Sequence, residues 1–397
     1  MRNKPCILQI CPCYVDLDHE TGGVANIVRQ ICFHVAKQGK HVSLLCGNRE
    51  LGEAKVQPGL RRINEFLSVE IFDQNSHPLM GPTGTLAKRI LSIQQDCIAH
   101  VHTCFSAFAE TAMRSCSRRG IPFVFTPHGK LSRHSLVTNY WAKQIWWTLK
   151  TRKAIRHAAN IAVSSFEEAS QMEALHFTQP CHVIPNGYDP SSLDDVGTHD
   201  RIIPEPYILF LGYLDPRKQP EFLVQAFAES SACRTHRLVF AGPDTYGHQD
   251  LVRRRAQDLA ILDRVVFYGA AYGQQKWNLL YNASCLCLPS LGEGLPLVLC
   301  EALGAGIPSI FSRECNFKEL ATHGAGVMLG EFTPSLWGEA IDRVCCDKIS
   351  RQAMTLAAQT LQSQYSWEGI VGRWSTLYDG LMNNRESSLR TSEHVHG

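Results

Sequence analysis

Apolar positions along the chain fall into two alternating patterns. Short apolar runs are followed by longer stretches in which apolar residues recur at helical spacing. Residues 6–10 form the first short run. Val24, Ile27, Val28, Ile31 and Val35 then share one helical face, and Gly39 follows as a stop. Residues 41–46, 98–102, 122–126 and 159–163 read as further strands, with a helix over 107–119. Ser164 and Ser165 each stand three residues before a glutamate, Glu167 and Glu168, so each fits a capping box for the next helix. Pro185-Asn186-Gly187 interrupts the series, and 189–206 is rich in Asp, Ser, Gly and Pro. A second series then follows, with strands expected at 207–211, 238–241, 265–268, 284–288 and 309–311. Strands alternating with helices predict open parallel sheets.

The predicted organisation is an N-terminal domain over 1–190, a linker over 191–205 and a C-terminal domain over 206–365. A last helix over 366–384 is expected to cross back to the first domain, and the polar tail 385–397 to be disordered. In doubly wound sheets, ligands bind beyond the carboxyl ends of the strands. Two such domains in series place a cleft between those ends. The predicted class is therefore α/β, with two Rossmann-like parallel-sheet domains facing across a cleft.

Composition narrows the function. The chain has 397 residues, long for one core, which favours two domains. Apolar content of 44% and charged content of 19% suit a soluble enzyme. A net charge of +2 carries no nucleic-acid signature. No window reaches the roughly 20 apolar residues of a spanning helix. The sixteen cysteines are scattered through apolar runs with no Cys-x-x-Cys pair, which reads as buried reduced thiols in a cytoplasmic protein rather than a zinc site.

The segment PSLGEGLPLVLCEALGAGIPSI carries the most informative chemistry. Glu293 and Glu301 are separated by seven residues in it. A strand over 284–289, a glycine-containing turn over 290–296 and a helix over 297–303 are expected. A loop entering a helix N-terminus is an anion site, and two carboxylates beside it suit hydroxyl groups. The competing reading leaves Glu293 solvated and Glu301 on the surface. Gly22-Gly23 opens the first long helix, where glycines permit close approach of a phosphate or form a plain turn. The dinucleotide fingerprint G-x-G-x-x-G does not occur. His128, between Pro127 and Gly129, ends a strand and suits a ligand contact or an idle loop position. Gly212, Arg217 and Lys218 lie in the turn after the second series' first strand. Adjacent cations there suit a diphosphate, or form a solvated basic turn. Asp16-Leu17-Asp18 reads as a polar loop, and no metal is expected.

Taken together, these segments resemble the retaining glycosyltransferases of family four, which have the GT-B fold. EGLPLVLCEALGAGIP is similar to the family's two-glutamate signature, supported by Gly22-Gly23, TPHGKLSRHSL, VSSFEEA, VIPNGYD, GYLDPRK, FAGPD, PSLGEG and YSWEGIVGRWSTLY. The resemblance implies a nucleotide-sugar donor on the second domain and a saccharide or lipid-linked acceptor on the first. It implies that Lys218, with Arg217 and Gly212 in the same turn, binds the diphosphate. Glu301 holds the ribose hydroxyls, and Glu293 lies by the transferred sugar. Backbone N–H groups of Gly294, Leu295, Leu297 and Val298 contact phosphate or sugar oxygens. Gly22 and Gly23 approach the diphosphate, and His128 touches the sugar. No cofactor or essential metal is implied, and the reaction retains configuration, in cell-surface polysaccharide or glycolipid synthesis. The chain departs from the pattern at Tyr213, where arginine is usual, and at Gln219, where glycine is usual. Rival readings are a nucleotide-sugar epimerase or hydrolase on a related fold, and a non-catalytic nucleotide-sugar-binding partner of another transferase.

Residues 138–158 are basic and aromatic. Trp141, Ile145, Leu149 and Ile155 fall on one helical face, with Lys143, Lys150, Arg152, Lys153 and Arg156 around it. This predicts peripheral contact with the inner face of a membrane, or an ordinary helix with its aromatics in the core.

Overall fold

The computed structural model describes residues 5–18, 22–50, 53–54, 56–73, 83–132, 140–189, 202–244 and 247–393. The chain divides into two compact units, Met1–Pro185 with Ile370–Gly397, and Asn186–Gly369.

The first unit is built on β1 (Cys6–Cys11), β2 (His41–Gly47), a two-residue hairpin of β3 (Arg49–Glu50) and β4 (Glu53–Ala54), β5 (Gly59–Arg62), β6 (Leu67–Phe72), β7 (Cys97–His102), β8 (Phe123–Thr126), β9 (Asn160–Val163) and β10 (Cys181–Val183). Its sheet runs β10-β9-β8-β7-β1-β2-β6-β5. All neighbours are parallel except β5, which runs against β6 at the edge. The central strands β1 and β7 are buried along their whole length, as a parallel sheet covered on both faces requires. The helix Gly23–Lys37 carries the Val24–Val35 stripe, and the helix Ala107–Arg119 ends on Gly120 at φ 69°.

The second unit holds β11 (Tyr207–Leu211), β12 (Arg237–Ala241), β13 (Val265–Gly269), β14 (Cys285–Leu288), β15 (Ser309–Ser312) and β16 (Gly326–Leu329). They are ordered β13-β12-β11-β14-β15-β16, all parallel. This is the Rossmann order, in which the winding reverses between the first and fourth strands. The first unit repeats it, with reversal between β1 and β7. The crevice at each reversal is where such sheets bind ligands, and in the second unit it lies beyond β11 and β14.

The boundaries differ from those read in the sequence. The second unit begins at Asn186, because Asn186 Nδ2 donates to Leu295 O at 2.6 Å and its carbonyl accepts from Cys300. Tyr188 pairs with Ser366 in a β-bridge and packs where a Cβ on Gly304 would approach its ring to 2.5 Å. Most of the expected linker lies outside the described residues. The last helix, Trp367–Glu393, passes from one unit to the other at Ile370. It also runs through much of the expected tail, where Arg385 donates to Cys97 O and lies 3.9 Å from Asp96. Residues 394–397 lie outside the described residues.

The basic aromatic segment is also rearranged. Helical Tyr140–Trp146 runs into a π-helical turn, Trp147–Thr151, before Arg152–Ile155. The wider turn changes the phase of the helix. Ile145 and Leu149 stay exposed, at 60% and 59%, while Ile155 turns fully into the core. Residues 138 and 139 and the side chain of Trp141 lie outside what is described. None of the sixteen cysteines forms a disulfide, and only Cys181 and Cys346 are exposed.

Candidate functional site

Three loops of the second unit converge on Glu293. The loop after β14 places it, and its N–H donates to Glu314 O at 3.0 Å. Asn316 Nδ2, from the loop after β15, donates to Glu293 O at 2.8 Å. Lys218, from the loop after β11, meets Glu293 Oε1 at 2.7 Å, and Ser290 Oγ donates to the same oxygen at 3.0 Å. Leu291 N–H joins the loops after β14 and β11 through Arg217 O at 2.8 Å. Burial works against ionisation of Glu293, but the charges of Lys218 and Arg217 and the two side-chain hydrogen bonds outweigh it. The carboxyl is held below its ordinary range.

The loop after β11 is shaped by unusual backbone. Gly212 has φ 143°, and a Cβ there would meet the aliphatic stem of Lys218 at 3.4 Å. Gly242, at the end of β12, lies so close that its Cβ would fall 2.0 Å from Gly212 O. Gln219 has φ 53° and ψ 48°, so the position that is usually glycine does require a left-handed backbone, which glutamine adopts here at a cost of about 1–2 kcal/mol. Asp215 accepts from Arg217 N–H and lies 4.0 Å from the guanidinium. Arg217 Nε is buried with no hydrogen-bond partner among the described residues. An orphaned donor beside Lys218 is the kind of vacancy that a ligand oxygen fills.

Glu301 is not a solvated surface residue. It sits in the helix Leu297–Gly304, 8% exposed, with Lys276 Nζ at 2.7 Å from its Oε1. Lys276 comes from the first turn of the helix Gly273–Asn282 after β13. No motif marks Lys276 in the sequence, although it obeys the same rule as the others, a polar residue just beyond a strand's carboxyl end. The helix Leu297–Gly304 starts after Pro296, so the amides of Leu297 and Val298 have no carbonyl a full turn earlier within it. Gly294 and Leu295 lead into it, and Leu295 is buried with its carbonyl taken by Asn186.

Gly22, Gly23 and His128 belong to the first unit. Gly22 caps the helix Gly23–Lys37, and Gly23 has φ 52°. His128 follows β8 with φ 51°, an uncommon conformation for a side-chain-bearing residue that often marks a functional turn. The turn is pinned by Glu168, which the sequence analysis read only as a cap. One carboxylate oxygen accepts from Gly129 N–H at 2.6 Å and the other from Ser164 N–H at 2.8 Å, while Ser165 caps the helix. Behind His128 lies a buried polar cluster of His102, Gln9, Tyr378, His100 and Thr126. Burial first, and Lys130's charge second, push His128 down to about 3. His100 and His102 are lowered as well, chiefly by burial.

The model for glycosyltransferase family 4 matches residues 21–192, and that for glycosyl transferases group 1 matches residues 200–361. The chain belongs to the family 4 glycosyltransferases. A D-inositol 3-phosphate glycosyltransferase of Mycobacterium marinum is 23% identical over 372 residues, covering 88% of this chain and 79% of the relative. Among solved structures, the sucrose-phosphate synthase of Thermosynechococcus elongatus superposes with a TM-score of 0.76 at 17% identity, covering 96% of this chain and all of that one. Anabaena HepE, solved in complex with UDP and glucose, gives 0.70 at 16% identity, covering 94% and 99%. These likenesses establish the GT-B fold, with its two parallel-sheet α/β domains. Within this family 4 chain, Glu301 of the signature is buried and Glu293 half-buried, and each is paired with a lysine.

The pairing has a cost that mutation exposes. Removing one partner of a buried ion pair costs about 3–5 kcal/mol, because a charge is left buried alone. Glu301→Ala is expected to lower the thermal midpoint markedly, and adding Lys276→Met to recover most of the loss. If the double variant is no more stable than Glu301→Ala, the pair is not the cause. The histidine cluster makes a second forecast. Unfolded imidazole protonates near about 6.5, whereas His128 resists down to about 3. The unfolded chain therefore binds more protons in that window, and stability should fall as pH drops from about 6.5 toward 3. Thermal midpoints at stepped pH values check this, and a flat profile below pH 6.5 would contradict it.

Proposed function

We propose that the second unit binds a nucleotide-sugar donor and that the enzyme transfers its sugar, with retention, to a saccharide or lipid-linked acceptor held by the first unit. The observation that carries this reading is the Lys218–Glu293 pair beyond β11 and β14, beside the unpartnered Nε of Arg217. A donor diphosphate supplies acceptor oxygens to both cations. On binding, Lys218 exchanges part of its interaction with Glu293 for phosphate, and the freed carboxylate faces the sugar. Glu301, fixed by Lys276, keeps one oxygen for ribose hydroxyls. The amides opening the helix Leu297–Gly304 add further donors.

Negative charge develops on the leaving diphosphate as the sugar–oxygen bond breaks. Fixed cations and amides stabilise it without reorganising. In this reading they take the place of a metal, and Arg217 takes that of the arginine absent at Tyr213. With no side chain assigned as base, a leaving phosphate oxygen takes the acceptor's proton, and the acceptor attacks from the same face.

Incubation with a panel of nucleotide sugars, with and without acceptor, tests the reading. Transfer requires acceptor-dependent release of nucleoside diphosphate. Release without acceptor would favour a hydrolase, and binding without release a non-catalytic partner. Loss of a charge-assisted contact costs about 1.5–3 kcal/mol, so Lys218→Met should lower kcat/KM by about ten- to a hundredfold or more. Wild-type activity in that variant would refute the diphosphate role.

The exposed Ile145 and Leu149 favour peripheral membrane contact in the first unit, consistent with a lipid-linked acceptor. They lie one turn apart, with Lys150 stacked 3.7 Å over the ring of Trp146 and Lys153 exposed nearby. Sedimentation with anionic vesicles at low salt should capture the protein, and Ile145→Glu with Leu149→Glu should release it. Failure of the wild type to sediment would exclude the contact.

A further inference from the structure

We propose that Gln9 and Tyr378 are positioning residues which hold His128 in its Nε2–H tautomer, so that its Nδ1 meets a substrate hydroxyl as a hydrogen-bond acceptor. This deepens the reading above and rests on it for the sugar contact of His128.

The inference starts from an anomaly. Gln9 lies in the middle of β1, between β2 and β7, and is fully buried. Burying an amide side chain there is costly unless every polar atom is met. Each atom is met by one specific partner. Oε1 lies 2.8 Å from His102 Nε2, and Nε2 donates to Tyr378 OH at 2.9 Å.

That orientation dictates the proton positions down both arms. An amide oxygen only accepts, so His102 Nε2 carries the hydrogen. A neutral imidazole has one donor and one acceptor, so His102 Nδ1 must accept. Its partner at 2.9 Å is His128 Nε2, which therefore carries the hydrogen. On the other arm, Tyr378 accepts from Gln9 and passes its single proton to His100 Nδ1 at 2.8 Å. His100 Nε2–H then donates to Thr126 Oγ1 at 2.8 Å. All the bonds run in one direction, from His128 to Thr126. His100 and His102 are fully buried, and burial disfavours the cation that would break the pattern.

What is left over is His128 Nδ1, which has no hydrogen-bond partner among the described residues. It sits on the strained turn that Glu168 fixes through Gly129. The group offered is thus an acceptor with no proton to give. A sugar hydroxyl is the chemical class that matches it. Were the amide of Gln9 turned over, every bond would reverse and His128 would offer Nδ1–H instead. Tyr378 contributes from the helix Trp367–Glu393, so the C-terminal helix bears on the polarity of a loop after β8.

The test uses the full chain with nitrogen-15 histidine and long-range proton–nitrogen correlation NMR at neutral pH. The expected spectrum shows His128 with a protonated Nε2 and a bare Nδ1. A protonated Nδ1 overturns the proposal. Gln9→Met keeps the side chain's length and removes both polar contacts. It should shift His128 toward a mixture of tautomers and lower kcat about tenfold, the scale of one hydrogen bond, with KM little changed. In a His128→Ala background the same change should have no further effect on turnover. Tyr378→Phe retains the ring packing and should act in the same direction, serving if Gln9→Met fails to fold. An unmixed tautomer in both variants, or a mixed one with unchanged turnover, overturns the positioning role. If the wild type transfers no sugar, the proposed function fails while the spectrum still decides the tautomer.

Discussion

Four charged groups are withdrawn from water at the carboxyl end of the second sheet, and the local structure depends on their pairing. Lys218 with Glu293, and Lys276 with Glu301, are each in contact at 2.7 Å with side chains no more than 13% exposed. Desolvation costs several kcal/mol per ion, so each is tolerated only in company. The loops after β11, β13, β14 and β15 are thereby fixed by electrostatics as well as by packing. The two pairs also leave no net charge between them. On the proposed reading, a diphosphate would meet positive groups already oriented and largely dry, and would gain what Glu293 gives up.

The two units use one strand order for opposite electrostatics. Beyond β11 and β14 the second unit holds ions. The first unit instead holds neutral imidazoles, an amide and a phenol, joined in a single hydrogen-bonded series. The contrast follows from burial. Among the described residues, no carboxylate is among the charges acting on fully buried His100 and His102, and burial keeps the histidines neutral. Neutral groups fix direction through proton position, and ionic groups fix charge.

Much of this was legible in the sequence where the signal is local. The alternation of strands and helices predicted both sheets, and the helix 297–303 was placed within one residue of Leu297–Gly304. Glu293, Lys218 and Gly212 announced themselves through glycine and proline beside charge. What was not legible depends on partners distant in the chain. Lys276 carries no motif, and only its contact with Glu301, 25 residues on, gives it meaning. Gln9 and Tyr378 are 369 residues apart. β6 carries no continuous apolar run: Ser68 and Glu70 alternate with its buried residues, and Arg89 takes the Glu70 carboxylate at 2.7 Å. The π-helical turn could not be read from spacing, since periodicity arguments assume one pitch throughout. The helix Trp367–Glu393 covers most of the expected tail, and composition does not register one arginine, Arg385, reaching a strand's carbonyl.

The distribution of sulfur has a practical consequence. Fourteen of the sixteen thiols are wholly or partly sheltered, and the two exposed ones, Cys181 and Cys346, fall in different units. The unaltered chain thus carries one exposed thiol on each half. A donor and an acceptor dye coupled there would make the separation of the two halves an optical observable, followed as donor nucleotide is added, with no engineered cysteine.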